Sequence, residues 1–242
     1  MESFWPTCSN NATYPDTHID ISQGSFLDSA GETTIEIPAT ITKNVTSLWG
    51  SGTNGGSLDI RSIGVGHYWL HAISNVDTGA VDILTSLSLY HPFMPAGFTK
   101  RRLLFGFGFN GTSVIPFYNF GEWHQFRTRI NSVLNVANNN TPVLRPLAVP
   151  VGAKMSVSAV IEAKASGGAS AGYVTIRDPD LGGYVPSTQS ASWLYQAGQV
   201  ANVPVALTTD NLGRVSCGDT NNGDGALSIS VNGWRLDRSI YR

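Results

Sequence analysis

The chain has 242 residues, a net charge of −2 and only 13% charged residues, against about 25% in an ordinary soluble domain. That balance excludes a basic nucleic-acid binder, which neutralises phosphates with clustered lysine and arginine. The length suits one large all-β domain or two small ones and is enough for a substantial core.

Residues 1–17 have no hydrophobic period and carry Pro6, Pro15 and many small polar side chains. They predict a short extended N-terminal arm. Phe4 and Trp5 read either as part of a loose terminus or as anchors of a docking peptide that orders on a partner; the second reading is preferred. A single domain is expected to follow, from residue 18 to residue 242. Residues 18–23 alternate Ile19 and Ile21 with His18, Asp20 and Ser22, a strand ending at Gly24. Residues 33–41 give another, with Pro38 marking its edge or its end. Residues 42–49 form a third, closed by Trp49. The run 50–57 is glycine-rich, but it lacks the Gly-Lys-Ser/Thr ending of a phosphate-binding loop and the G-x-G-x-x-G spacing of a dinucleotide site. It is read as a plain loop.

The centre of the chain is the most strongly patterned part. Tyr68-Trp69-Leu70-His71-Ala72-Ile73 is aromatic and β-branched enough for a strand. Asp77-Thr78-Gly79 turns the chain, and residues 80–88 alternate so that one face is expected to be buried and the other open. Residues 101–109 form the next strand, Asn110-Gly111 signals a hairpin, and residues 113–120 return. An antiparallel meander is the simplest expectation. Phe105, Phe107 and Phe109 alternate with Gly106 and Gly108, leaving one face bare for close packing by the domain, a second subunit or a sugar ring. His67 and His71 share a strand face about 13 Å apart, too far for one metal ion. No H-E-x-x-H pattern accompanies them or His91 and His124, so no metal site and no cofactor are expected. Lys100-Arg101-Arg102 is the one basic cluster, read as a strand edge or as a surface for an anionic partner. Residues 121–140 have apolar residues at helical spacing, yet the β-branched content favours strand and loop.

A second β half follows residues 138–142. Residues 143–149, 155–163, 173–176, 200–207, 213–217 and 226–235 read as strands. Trp193 and Tyr195 are loop aromatics able to stack on a sugar. The loop 218–225 is rich in oxygen ligands but lacks the calcium-loop spacing and its closing glutamate. Cys8 and Cys217 are too few and too far apart for a disulfide scaffold; a single bridge between them is left open. No apolar run approaches the roughly 20 residues of a membrane span. The N-terminus lacks the basic patch and apolar run of a Sec signal peptide, so no membrane insertion is expected.

Several motifs together resemble a family of all-β domains in bacteriophage and prophage structural proteins, often at the ends of tail-fibre-like chains. They are His67-Tyr68-Trp69-Leu70-His71, Asp77-Thr78-Gly79-Ala80-Val81-Asp82, Pro95-Ala96-Gly97-Phe98-Thr99-Lys100-Arg101-Arg102, Ile115-Pro116-Phe117 and Gly233-Trp234-Arg235-Leu236-Asp237-Arg238. The likeness runs from about residue 18 to the end. With the strand pattern, it implies an antiparallel β-sandwich or jelly-roll-like domain in a virion. It also implies a homotrimer that contacts other virion proteins and attaches to host surface polysaccharide. A head decoration or baseplate protein is the alternative, and a glycan-hydrolysing tailspike is a third possibility. The acids sit mostly in turns (Asp28, Asp77, Asp178, Asp180, Asp219, Asp224) and form no carboxylate pair of glycosidase type. No G-x-S-x-G elbow or Ser-His-Asp set is evident. No catalytic residue is assigned, and an enzyme is not expected.

Overall fold

A computed structural model describes residues 4–60, 62–137, 141–165, 172–181, 193–195, 200–219 and 225–236. The fold is all-β and sandwich-like. The chain divides into two compact units, Met1–Arg127 and Thr128–Asp237.

The first unit contains β1 (Cys8–Asn10), β2 (His18–Ile21), β3 (Gly24–Leu27), β4 (Thr34–Ile37), β5 (Ile41–Leu48), β6 (Gly56–Leu58), β7 (Gly66–Ser74), β8 (Val81–Ser86), β9 (Lys100–Phe109) and β10 (Phe117–Phe120). A long strand, β11 (Trp123–Ala137), begins here and ends in the second unit. The strands order as β10-β1-β2-β5-β6-β8-β7-β9, and residues 123–126 of β11 pair on β10. The β5–β6 and β6–β8 pairings are parallel. β3 and β4 form a separate hairpin, and β4 packs against β7 and β8. Ile19, Ile21, Phe26, Ile35, Ile37, Val45, Leu70, Phe107 and Phe117 belong to one core cluster. Burial of such side chains contributes roughly 1.5–3 kcal/mol each and is the main stabilising term.

Two expectations are corrected here. The meander does not form: β9 passes over its predecessor and pairs with β7, so the local order is β8-β7-β9. The Asn110-Gly111 turn does form, with Asn110 Oδ1 accepting the amides of Thr112 and Ser113. Beyond the Asn110 N–H to Ser113 O bond that closes the turn, the returning chain keeps a Phe109–Val114 bridge and one Ile115 N–H to Gly108 O bond before β10 leaves to pair with β1 and β11. Buried Asn10 draws it away, accepting the Phe117 amide at 2.8 Å and donating to Pro15 O at 2.9 Å. The second correction concerns β8. From Asp82 to Ser86 every residue is buried, on both faces. β6 and β7 flank it, and β4 and β5 also contact it, so its polar face is covered rather than open.

The second unit contains the rest of β11, then β12 (Val143–Pro146), β13 (Met155–Ala165), β14 (Gly172–Arg177), a single 3-10 turn at Pro179–Leu181, β15 (Trp193–Tyr195), β16 (Val200–Thr208), β17 (Arg214–Asp219) and β18 (Gly225–Leu236). One sheet runs β16-β13-β18-β11 and the other β12-β17-β14-β15. Val157, Ala159, Ile161, Ile229 and Val231 of the first sheet and Val174, Ile176, Val215 and Cys217 of the second are buried. This is the two-layer arrangement in which inward residues alternate with outward ones. The helical spacing noted in residues 121–140 resolves as strand through residue 137, as the β-branched content implied.

Candidate functional site

β10 places Phe117 and Asn119 inward and Tyr118 and Phe120 outward. The first residues of β11 continue the alternation, with His124 and Phe126 buried and Trp123, Gln125 and Arg127 exposed. The register sets Phe120 opposite Trp123 and Tyr118 opposite Gln125. Tyr118 and Phe120 are therefore about 7 Å apart along one strand, and Phe120 and Trp123 about 5 Å apart across two. Phe120 is 75% exposed, Trp123 42% and Tyr118 41%. Exposed aromatics grouped on one sheet face mark an interaction surface more specifically than single exposed apolar residues do.

The same face continues through polar residues. Ser9 lies opposite Tyr118, Asp20 opposite Ser9 and Thr42 opposite Asp20. Asp20 accepts Thr42 Oγ1 at 2.7 Å and Asn11 Nδ2 at 2.9 Å. The result is a row of hydroxyl, carboxylate and amide groups leading to the rings.

Beneath it the sheet is stiffened by stacked side chains. Phe117 stacks on Phe107 (centroids 6.4 Å) and on His124 (4.8 Å), and His124 meets Phe126 edge-on at 4.9 Å. Asn119 Oδ1 lies 3.0 Å from His124 Nδ1. Burial and the neighbouring His67 hold the His124 imidazole down at about 3, against a usual value near 6.5. Burial alone takes His67 down to about 4. His71 also falls to about 4 through burial, and Arg101 adds to the effect, although its Nε2 contact to Ser88 O opposes it. All three rings are neutral near pH 7 and serve as packing groups. The bare face expected at Gly108 is filled from within the unit: a Cβ there would lie 2.9 Å from Ile115 Cδ1 and 3.5 Å from His67.

The other predicted residues are placed as follows. Phe4 bridges Ser25 through its backbone and keeps a 56% exposed ring. Trp5 packs on Phe26 (5.4 Å) and Phe105 (6.4 Å), with the Arg102 guanidinium 5.7 Å over its ring. Residues 4–10 are extended and residues 12–17 turn the chain, all within the first unit, with β1 between β2 and β10. Lys100 pairs with Asp28 at 3.4 Å and Glu32 at 3.0 Å. Arg101 donates to Tyr90 O, and Arg102 to Asp28 O at 3.4 Å. The basic cluster spends its charge on internal partners. Trp193 and Tyr195 lie on β15, where they pair with Val174 and Gly172; their side chains lie outside the described residues, as do residues 220–224 of the acidic loop.

One feature of the first unit has no signature in the sequence. Lys43, fully buried on β5, lies 3.1 Å from Asp82 Oδ1 and donates to Gly50 O at 2.7 Å and Gly52 O at 3.1 Å. The Gly52 amide donates to Asp82 at 3.0 Å, and the Trp49 ring lies 5.9 Å from the ammonium. Burial pulls the Lys43 ammonium below its ordinary value while Asp82 opposes the shift. The glycine-rich loop is therefore a cover folded over a buried ion pair. Lys43 and Asp82 are each held by several partners, while the buried Trp49 Nε1 beside them has no hydrogen-bond partner; the pair is read as structural.

Cys8 and Cys217 are both free and buried, and burial raises both thiols, Cys217 to about 12. Neither is a reactive thiolate. Among the described residues no three His, Cys, Asp or Glu side chains group as metal ligands, and no helix is long and apolar enough to cross a membrane. No family model, curated protein or solved structure matches the chain.

Proposed function

We propose that this chain is a phage structural subunit, of tail-fibre or receptor-binding type, that attaches to host surface polysaccharide without altering it. The observation that carries the proposal is the Tyr118–Phe120–Trp123 surface, three exposed rings on a stiff sheet beside a row of hydroxyl, carboxylate and amide groups. Sugar rings present C–H faces to aromatic side chains and hydroxyls to such polar groups, and flat aromatic surfaces bind them weakly. Assembly into a trimer would multiply that weak affinity through avidity.

The family resemblance supports the same reading. Its motifs between residues 67 and 117 fall on the structural frame of the first unit. His67-Tyr68-Trp69-Leu70-His71 is the buried strand β7. Asn75 Oδ1 accepts the amides of Asp77 and Thr78 to hold the following turn. Gly97, at φ 82°, closes the next turn against the Asn75 side chain. Phe98 then packs edge-on to Trp49 at 5.4 Å. These motifs belong to the frame of the first unit, and the aromatic face is proposed as its ligand-binding surface.

Labelling the protein in particles of the phage that encodes it, viewed by electron microscopy, tests the placement. Label at the tail supports the proposal. Label on the head favours the decoration reading, and unlabelled particles contradict both.

A further inference from the structure

A second feature of the first unit lies apart from the aromatic face and shares no residue with it. A cleft of about 410 Å³ opens between the end of β6, the end of β8 and the loop that follows β8. Leu58 and Tyr68 contribute buried apolar surface to it, and Phe93 and Leu87 line it while 69% and 68% exposed. Asp59, Ser62 and Ser88 supply polar groups. The volume falls in the range of small-molecule sites, which are commonly mostly apolar with a few placed polar groups.

The loop that carries Leu87 and Phe93 is pinned along its length. Ser86 Oγ, itself buried, accepts the Ser88 amide at 3.0 Å, and Ser88 Oγ accepts the His91 amide at 2.8 Å. His71 Nε2 lies 3.0 Å from Ser88 O. Arg101 donates to Tyr90 O. Asp59 Oδ2 accepts the Phe93 amide at 3.1 Å. A mobile loop would fold two such large apolar side chains inward. Here buried Ser86 and His71, with half-buried Asp59, Ser88 and Arg101, hold them out at the mouth of a cleft, the preorganisation expected of a binding site.

The chemistry of the lining indicates the ligand. Asp59 receives one amide on each oxygen, from Ile60 at 2.8 Å and from Phe93. A carboxylate has about four acceptor positions, so about two remain for neighbouring hydroxyls. Ser62 and Ser88 add hydroxyl groups, and Phe93 offers a ring face to C–H bonds. Asp59 places a carboxylate in the described lining, and its charge disfavours an anion. We propose that this cleft binds a single neutral saccharide ring, with Asp59 accepting its hydroxyls and Phe93 stacking on its C–H face.

Saturation-transfer NMR on the full chain tests this directly. The probes are methyl glucoside, methyl galactoside, methyl mannoside, N-acetylglucosamine and glucuronate. At least one neutral probe is expected to show transfer, strongest at its ring C–H protons. In the Phe120→Ala, Trp123→Ala background, where the aromatic face cannot contribute, Phe93→Ala should remove that signal and Asp59→Asn should weaken affinity about tenfold. Phe93→Ala should melt at the wild-type temperature, because its ring is exposed. A Phe120→Ala, Trp123→Ala variant should keep the signal, which separates this cleft from the aromatic face. Four results overturn the proposal: no transfer to any neutral probe, transfer to glucuronate alone, a signal unchanged by Phe93→Ala in the Phe120→Ala, Trp123→Ala background, or a signal lost with Phe120 and Trp123.

Discussion

The strands at the heart of the two units handle polar residues in opposite ways. In the second unit, β13 alternates buried Met155, Val157, Ala159 and Ile161 with half-buried Ser156, Ser158 and Val160. Its polar side chains reach toward water and need no internal partner. In the first unit, β7 from Tyr68 to Ser74 and β8 from Asp82 to Ser86 are buried on both faces. Most of their polar groups are matched inside, with His71 Nδ1 left without a partner. Asp82 holds Lys43, Thr85 shares a 2.7 Å hydrogen bond with Ser57, and His71 meets Ser88 O. A doubly covered strand thus depends on specific long-range polar pairs, whereas a half-open strand depends on its pattern alone.

Substitutions sharpen that contrast. The largest effect is expected from deleting residues 1–10, which removes β1 and with it buried Cys8 and Asn10 from between β2 and β10. Circular dichroism should show loss of the cooperative thermal transition of the first unit; an unchanged transition would mean that these residues are dispensable. Next, Asp82→Ala leaves the Lys43 ammonium buried without its counter-charge and should cost roughly 3–5 kcal/mol in urea unfolding. The double variant Lys43→Met, Asp82→Leu should recover much of that loss. A double variant no better than the single would show that the pair is not the cause.

Acid should act next. The His67, His71 and His124 imidazoles have folded values below the usual 6.5. Above pH 6.5 they are neutral in both states and contribute no pH dependence. As pH falls from 6.5 toward 4, the unfolded chain takes up protons that the folded chain refuses, so stability is lost. For His71 the loss is on the order of 3 kcal/mol across that window. Melting followed from pH 7 to 4 should show the decline, and His124→Phe should make it shallower. A flat profile would contradict neutral burial. The smallest effect is expected in the second unit, where Val160→Thr on the outward side of β13 should change stability by no more than about 0.5 kcal/mol.

The contrast also explains what the sequence revealed. Strands with one wet face write their alternation into the chain, so 155–163 and 226–235 are legible by inspection. The turn at 77–79 is legible because its residues carry the turn chemistry. The Lys43–Asp82 pair is separated by 39 residues, and no local pattern joins its members. The misplacement of β9 has the same origin, since pairing with β7 rather than β8 is decided by what covers the sheet. The exposed rings at 118, 120 and 123 follow strict alternation with buried Phe117, Asn119 and His124. That signal was present in the sequence, but it was obscured by the helical spacing of the following residues. Phe93 and Asp59 come together only through a loop contact.

The most direct measurement is adsorption of the purified protein to host cells, with wild type compared with a Phe120→Ala, Trp123→Ala variant. Wild-type protein should bind saturably and be displaced by purified surface polysaccharide. The variant should melt normally and bind at least about tenfold more weakly, as expected when central aromatic contacts are removed. Equal binding by the two proteins, or no displacement by polysaccharide, would contradict attachment through this face.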